Sequence, residues 1–493
     1  LGVARKIARI ALLNHGLIYK IADHGREELM LDTTIGVQPP LEFIPPAYDP
    51  RVRQVVDWAL PLVMRSRTTI RDVEATNVET LVNLYQQFQQ GKVRLLLAFR
   101  HPSSKDPFCL GHLIWRLLPQ TAQRMGVPLQ RPIHAYFLYD RGIPLWLGNW
   151  AAWLFPRLGG TPIHRGKLDL IGLRSARDLF ANGQFPLAAA PEGATNGHNE
   201  IVSPLEPGIS QLGFWCVEDI LRAGRSEQVL IVPIGLKYHY ITPPWENLAR
   251  ILTGLEADTG LEPVANSGDP LQNGHLYKRL YRLGEYLLSL MENYYTRFFH
   301  VTLPNPPLSS TEVSTSVLSS EAFTARLNAL LDAALTVAEE FFNLQAKGSV
   351  IDRCRRLEQA AWDCIYRDDL DLGAISLVER GLADRIAEEA DLRVWHMRLV
   401  ETFVAVTGQY VREKPSVERF ADTTLLAWDM VCRIKGGNPF RRPKLGPEKA
   451  LITIGEPISV SDRWEAYQGG RRNAKQAVAD LTQDLQTALE KMI

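Results

Sequence analysis

Two ionisable residues five positions apart carry the most legible chemistry in this chain: His101 and Asp106, within Arg100-His101-Pro102-Ser103-Ser104-Lys105-Asp106-Pro107. On one continuous helix, turning about 100° per residue, they would not share a face. Across a turn between a strand and a helix they can meet. An Asp that holds a His ring is the arrangement a general base needs. The same spacing also fits a strand-end His beside a helix-capping Asp with no chemistry at all. Ser103 and Ser104 lack the G-x-S-x-G elbow of a covalent nucleophile and read as turn-capping or substrate-contacting hydroxyls. His112, His134, His198, His239 and His300 show no metal-ligand spacing such as H-E-x-x-H, so no metal is expected.

The residues around the pair resemble a known family. His101-Pro102-Ser103-Ser104-Lys105-Asp106 resembles the H-x4-D signature of the glycerolipid acyltransferase superfamily (lysophosphatidic acid and glycerol-3-phosphate acyltransferases). Gly160-Thr161-Pro162-Ile163-His164-Arg165 resembles that family's second block, Ala190-Pro191-Glu192-Gly193 its third, and Ile231-Val232-Pro233-Ile234-Gly235 its fourth. The four blocks stand in the family's order and together span roughly Val93 to Tyr240; Ile452–Ile458 echoes its closing strand.

The resemblance implies roles for individual residues. His101 is the general base and Asp106 orients it. Ser103 stands at the family's Ser position, and Arg165 is a phosphate clamp whose planar fork grips two oxygens. Glu192 and Gly193 form an acceptor-binding turn. His164 is given no role.

The implied reaction moves a fatty acyl group from acyl-CoA or acyl-carrier protein, as co-substrate and without a bound cofactor, to a glycerolipid hydroxyl. The default acceptor is 1-acyl-glycerol-3-phosphate, with glycerol-3-phosphate or a neutral lysolipid as alternatives. In the third block the family usually continues Thr-Arg-Ser, whereas this chain has Ala194-Thr195-Asn196, so a second phosphate-binding Arg is missing. Lys105, Lys167 or Arg174 is then the candidate replacement, or the acceptor differs. A lipid-binding or scaffold protein that has lost catalysis is the rival from another functional class. Phosphoester hydrolysis is a further one, but it lacks an acidic metal cluster or an R-H-G-type signature.

Positioning these residues requires an α/β sheet. Strands are expected at Val93–Phe99, Ile133–Tyr139, Pro186–Ala190 and Val229–Tyr238, and helices at Pro107–Leu118, Leu147–Leu158, Leu168–Ala181 and Gly208–Ala223. Asp106-Pro107 suits an N-cap followed by the first helical position. In an open α/β sheet the site lies beyond the carboxyl ends of strands, where His101 and Glu192 both fall. Trp146, Trp150 and Trp153 share a helix face that suits either a membrane interface or ordinary core packing.

The expected fold class is therefore α/β: a mixed sheet covered by helices, preceded by a helical pair and carrying a large all-helical insertion. The divisions are 1–90 (a basic N-terminal segment, the Pro-rich linker 36–50 and helices at Val52–Met64 and Asn77–Gln89), 91–243 (the first part of the catalytic domain), 244–446 (the mainly helical insertion, with a Ser/Thr-rich linker from Ser309 to Ser320) and 447–493 (a closing strand, Ala450–Ile458, and a helix, Asn473–Met492). The closing strand is expected to rejoin the first sheet, because a single strand needs a partner for its backbone groups.

Composition narrows the functional class. Lys plus Arg and Asp plus Glu each total 55 of 493 residues, so no global charge recommends nucleic acid as a partner. Five scattered cysteines form no C-x-x-C, which fits a reducing, cytosolic setting. No apolar run approaches the ~20 residues that span a bilayer, so membrane contact is expected to be peripheral. Residues 1–20 read as a basic surface helix that touches anionic lipid, or as a non-native extension with Met30 as the true start.

Overall fold

A computed structural model of the chain describes residues 35–164, 169–262, 274–303, 320–403 and 410–493. The basic segment 1–20, Met30, Arg165, Lys167 and all but the last residue of the Ser309–Ser320 linker lie outside the described residues.

Asp49-Pro50 opens α1 (Pro50–Arg67): the Asp49 carboxylate accepts from the Arg51 amide at 2.8 Å, and Pro50 needs no donor in that turn. There follow β1 (Ile70–Thr76), α2 (Val78–Gln89) and β2 (Val93–Phe99). The expected helical pair is present as α1 and α2, but a strand lies between its members. That strand, with Arg71, Asp72 and Glu74 exposed, has too little apolar character to read as one.

Beyond β2, α3 (Asp106–His112) runs through a π turn (Leu113–Leu117) into α4 (Leu118–Met125). Next come β3 (Tyr136–Asp140), α5 (Ile143–Leu147), α6 (Asn149–Arg157), β4 (Gly160–Ile163), α7 (Leu170–Asn182), β5 (Leu187–Ala189), α8 (Gly208–Arg222) and β6 (Gln228–Tyr240). The chain then turns helical: α9 (Trp245–Thr259), α10 (His275–Phe299), α11 (Ser320–Phe341), α12 (Val350–Ile365), α13 (Leu377–Phe403), α14 (Tyr410–Glu413) and α15 (Val417–Ile434). It closes with β7 (Glu448–Ile454), β8 (Ile458–Ser459), α16 (Trp464–Gln468) and α17 (Arg471–Glu490).

The strands form one mixed sheet in the order β1-β7-β6-β2-β5-β3-β4, with β8 paired to β6. The central ladders are parallel, Leu96 facing Leu187 of β5 and Ile231 of β6. β7 returns antiparallel to β6, Ile452 opposite Leu236, and runs parallel to β1. The late strand therefore rejoins the first sheet, and the helices between are an insertion.

All seven residues of β2 are buried, as a strand covered on both faces requires. Successive side chains alternate between faces. Leu95 and Leu97 pack with Leu81, Tyr85 and Leu113 on one side; Leu96 and Ala98 pack with Phe180, Phe214 and Leu481 on the other. Trp150 and Trp153 of α6 are half-buried, and Phe155 sets its edge against Phe137 and Tyr139 of β3, so much of this face is packed.

Within the helical region, successive helices are joined by Arg–Glu pairs, the first three of them buried forks. Arg279 of α10 donates to Glu256 of α9 through Nε at 3.0 Å and Nη2 at 2.7 Å. Arg326 of α11 grips Glu292 of α10, and Arg353 of α12 grips Glu339 of α11, with Nε–Oε1 distances of 2.9 Å in each. Arg398 of α13 reaches Glu358 of α12 at 2.7 Å. Each fork satisfies a carboxylate that would otherwise be stranded between helices.

Candidate active site

β2 ends at Phe99, and the turn that follows folds back on itself. Nδ1 of His101 lies 2.7 Å from Oδ2 of Asp106, which is fully buried, while the His101 side chain keeps about a fifth of its surface exposed (22%). The same Asp106 oxygen accepts from the Ser103 amide at 3.0 Å. Asp106 is thus not the helix cap expected from Asp-Pro. Lys105 occupies the cap position, and the Asp106 carboxylate turns back into the loop instead of along the helix. With Nδ1 committed to a carboxylate, Nε2 is the nitrogen left to exchange a proton. Ser103 Oγ accepts from the Lys105 amide at 3.3 Å, a turn-capping role.

β6 supplies the wall behind the pair. Its ladder with β2 finishes at Phe99–Ile234, but the strand continues to Tyr240. That overhang carries the Tyr238 phenol to Oδ1 of Asp106, to which it donates a short hydrogen bond. Burial, with Asp106 beside it, pushes the Tyr238 hydroxyl well above its ordinary pKa, so it stays a donor. Lys105 is not free to bind a phosphate: its ammonium pairs with Glu448 at the start of β7, lies 3.2 Å from the Thr69 hydroxyl and sits over the Tyr238 ring. Arg174 is exposed on α7.

The third block arrives from β5, the parallel neighbour of β2. Glu192 is buried, and its carboxylate accepts from the His101 amide at 2.7 Å, the Ser203 amide at 2.9 Å and the Asn196 side chain at 2.8 Å. It therefore fixes the backbone of His101 and the loop after β5. Burial raises its pKa, against the pull of Arg100 and the amides. Gly193 adopts φ +72°, a left-handed conformation, so the turn favours glycine. Asn196 also donates to the Ile201 carbonyl at 2.7 Å.

Arg100 is fully buried and donates to carbonyls of His198, Asn199, Ile201 and Leu236. It pins this loop to the end of β2 and places a positive charge among Asp106, Glu192 and Asp422, although burial lowers its pKa. The insertion reaches the same loop. Asp422 accepts from the Asn199 amide at 2.8 Å and from the Tyr410 hydroxyl at 3.0 Å, while Arg419 holds Glu200 at 2.8 Å.

The second block lies on β4, the outermost strand, two places beyond β5 in the sheet. Gly159 and Gly160 bring the backbone against the rings of Tyr136 and Phe137, where a Cβ would clash. Asp169 accepts from the His164 and Gly172 amides, at 2.8 and 3.0 Å, and pairs with Arg141. It anchors both sides of the segment that contains Arg165, which itself is outside the described residues. His164 is buried with its ring edge-on to Trp362 of α12.

The structure thus joins His101, Ser103, Asp106 and Glu192 by direct hydrogen bonds and places Gly193 in the adjoining turn. Sequence reasoning missed Arg100 and Tyr238. A charged residue ending a buried apolar strand was a usable signal for Arg100, because burial obliges it to find acceptors; nothing marked Tyr238. Among the described residues no group of three or more His, Cys, Asp or Glu side chains is placed to hold a metal, and no helix is long and apolar enough to cross a membrane. Compared with protein-family models, curated proteins and solved structures, the chain matches none.

Proposed function

We propose that this chain is an acyltransferase that moves a fatty acyl group from acyl-CoA or acyl-carrier protein to a glycerolipid hydroxyl, with 1-acyl-glycerol-3-phosphate as the leading acceptor. The observation that carries the reading is the His101–Asp106 contact at 2.7 Å, with the ring partly open to solvent. The order of the four sequence blocks supports it. In the mechanism, Nε2 of His101 takes the hydroxyl proton as the oxygen attacks the thioester carbonyl carbon. The C–S bond then breaks, and the departing thiolate takes up the proton from the imidazolium. Asp106 holds Nδ1–H throughout and stabilises the transient positive charge. No acyl-enzyme is needed.

Arg165 would grip the acceptor phosphate. Asn196 is turned inward onto Glu192 and Ile201, and Lys105 is paired with Glu448. A second cationic contact then falls to Lys167 or to Arg174, which is exposed on α7, and an uncharged lysolipid is the second reading. The enzyme would work in the cytoplasm as a peripheral membrane protein.

Labelled acyl-CoA incubated with purified protein and a panel of acceptors tests the proposal. Transfer to a lysolipid is expected, with a loss of about 10²–10⁴-fold in His101→Ala. Full activity in that variant, or release of phosphate in place of transfer, overturns it. Arg165→Lys should raise KM for phosphorylated acceptors only, since a point charge replaces a fork.

A further inference from the structure

We propose that the helical region holds a binding site for an unbranched aliphatic chain, in a slot between α10, α11, α13 and α15. The inference does not depend on the transfer reaction; it stands on the shape and lining of the slot.

The slot is long and thin. Its wall on α10 extends from Tyr277 to Tyr295 and on α11 from Phe323 to Ala334. At 1.5 Å per residue these stretches are about 27 Å and about 16 Å. Its volume is only about 130 Å³. An engineered apolar cavity of about 150 Å³ stays dry and takes one benzene. A similar volume drawn out along two helices suits the end of a chain, not a ring or a whole lipid.

The lining has no charged residue, and its polar atoms are limited to Thr423 and tyrosine hydroxyls. Those hydroxyls are occupied at two sites: Tyr295 meets Nδ1 of His396 at 2.6 Å, and Tyr410 donates to Asp422. Little is left inside to recognise a polar head. One end is half-exposed at Tyr277, Tyr281 and Phe323, whereas Leu331, Tyr295 and Ala334 are buried. A chain would enter by its tail at the aromatic end and leave its head outside.

Gly284, itself part of the lining, is a second sign. It sits inside the 25-residue helix α10, where glycine is unfavourable relative to alanine. No positive φ requires it, and a Cβ there would meet nothing nearer than the Phe323 ring at 3.7 Å, an ordinary contact. Neither strain nor crowding explains the missing side chain. What its absence leaves is room in the slot. Tyr410, on the opposite wall, also packs its ring on His198 of the third-block loop, so an occupied slot abuts the residues that hold Arg100.

Fluorescence of a conjugated-polyene fatty acid, titrated with the purified full chain, tests the site. A saturable signal is expected, competed by saturated fatty acids more strongly as they lengthen. Gly284→Ala should bind, whereas Gly284→Leu should weaken binding roughly ten-fold, equivalent to displacing about two buried methylenes. Phe323→Ala widens the slot and should shift preference toward branched chains, so it decides the matter if Gly284→Leu does not fold. Absence of saturable binding overturns the proposal. So does unchanged binding in folded Gly284→Leu, or unchanged preference in Phe323→Ala.

Discussion

The Tyr238 hydroxyl donates to Oδ1 of Asp106, the carboxylate oxygen that His101 leaves free. One oxygen of Asp106 is thereby spent on the ring and the Ser103 amide, and the other on a phenol that burial keeps protonated. Tyr238→Phe removes a hydrogen bond to a charged group, worth roughly 1.5–3 kcal/mol. If that bond fixes Asp106 against His101, turnover should fall by about 10–100-fold, with acceptor KM little changed. Steady-state kinetics on the two proteins, with melting curves to confirm the fold, provide the check.

Glu192 accepts three hydrogen bonds and donates none. In Glu192→Gln the amide nitrogen must face donors. A loss of about 1–3 kcal/mol in unfolding free energy is expected. Activity should drop as well, because the His101 amide loses its anchor. A urea midpoint equal to that of the parent protein would contradict the positioning role.

The Asp422 carboxyl is pushed up to about 7 by burial, from an ordinary 3.8. A carboxyl whose folded pKa exceeds its unfolded value stabilises the fold most below the unfolded value, and that contribution is lost as pH rises through the folded one. The window here is therefore between 3.8 and about 7. Relative to Asp422→Asn, the parent protein should gain stability on acidification from about pH 8 to about pH 5. Denaturation midpoints of both proteins at the two pH values would show the gap moving in the parent's favour. A gap independent of pH counts against this assignment.

The fork between Arg326 and Glu292 is buried on both sides. Arg326→Met alone strands a carboxylate and should cost about 3–5 kcal/mol. Adding Glu292→Leu should recover most of that loss, since an apolar pair of similar volume is often neutral or better. Chemical denaturation of the single and double variants separates the two outcomes. Further loss in the double variant would mean that the fork stabilises beyond mutual neutralisation.

Legibility in the sequence followed burial. β2 and β6 are dominated by buried apolar residues and could be read directly, as could α2, α7 and α8 from their spacing. β1 escaped because it lies at the sheet edge, with three charged residues among its seven. β4 escaped because four residues, Gly160–Ile163, containing Gly and Pro, carry no periodicity. At the site, His101 and Asp106 were legible because they are neighbours along the chain. Tyr238 was not, since it is 132 positions from Asp106 and meets it only because β6 outruns β2. The inward turn of the Asp106 carboxylate was also hidden: local preference favours a cap, and three donors from the loop and β6 prevail over it.

Thr76 of β1 and Thr453 of β7 are neighbours across a ladder although 377 positions separate them. In a chain made from its amino end, β1 therefore emerges long before β7, its sheet neighbour among the described residues, exists. Until Glu448–Ile454 is synthesised, the Gly235–Tyr240 edge of β6 stands open, and Lys105 lacks the carboxylate that pairs with it. An open edge of this kind is a template for intermolecular pairing. The helical region is completed inside that interval, so its own folding governs how soon the closing strand can reach the gap. Nascent chains halted between Tyr240 and Glu448 should be the aggregation-prone species, and release of residues beyond Ile454 the step that ends the hazard.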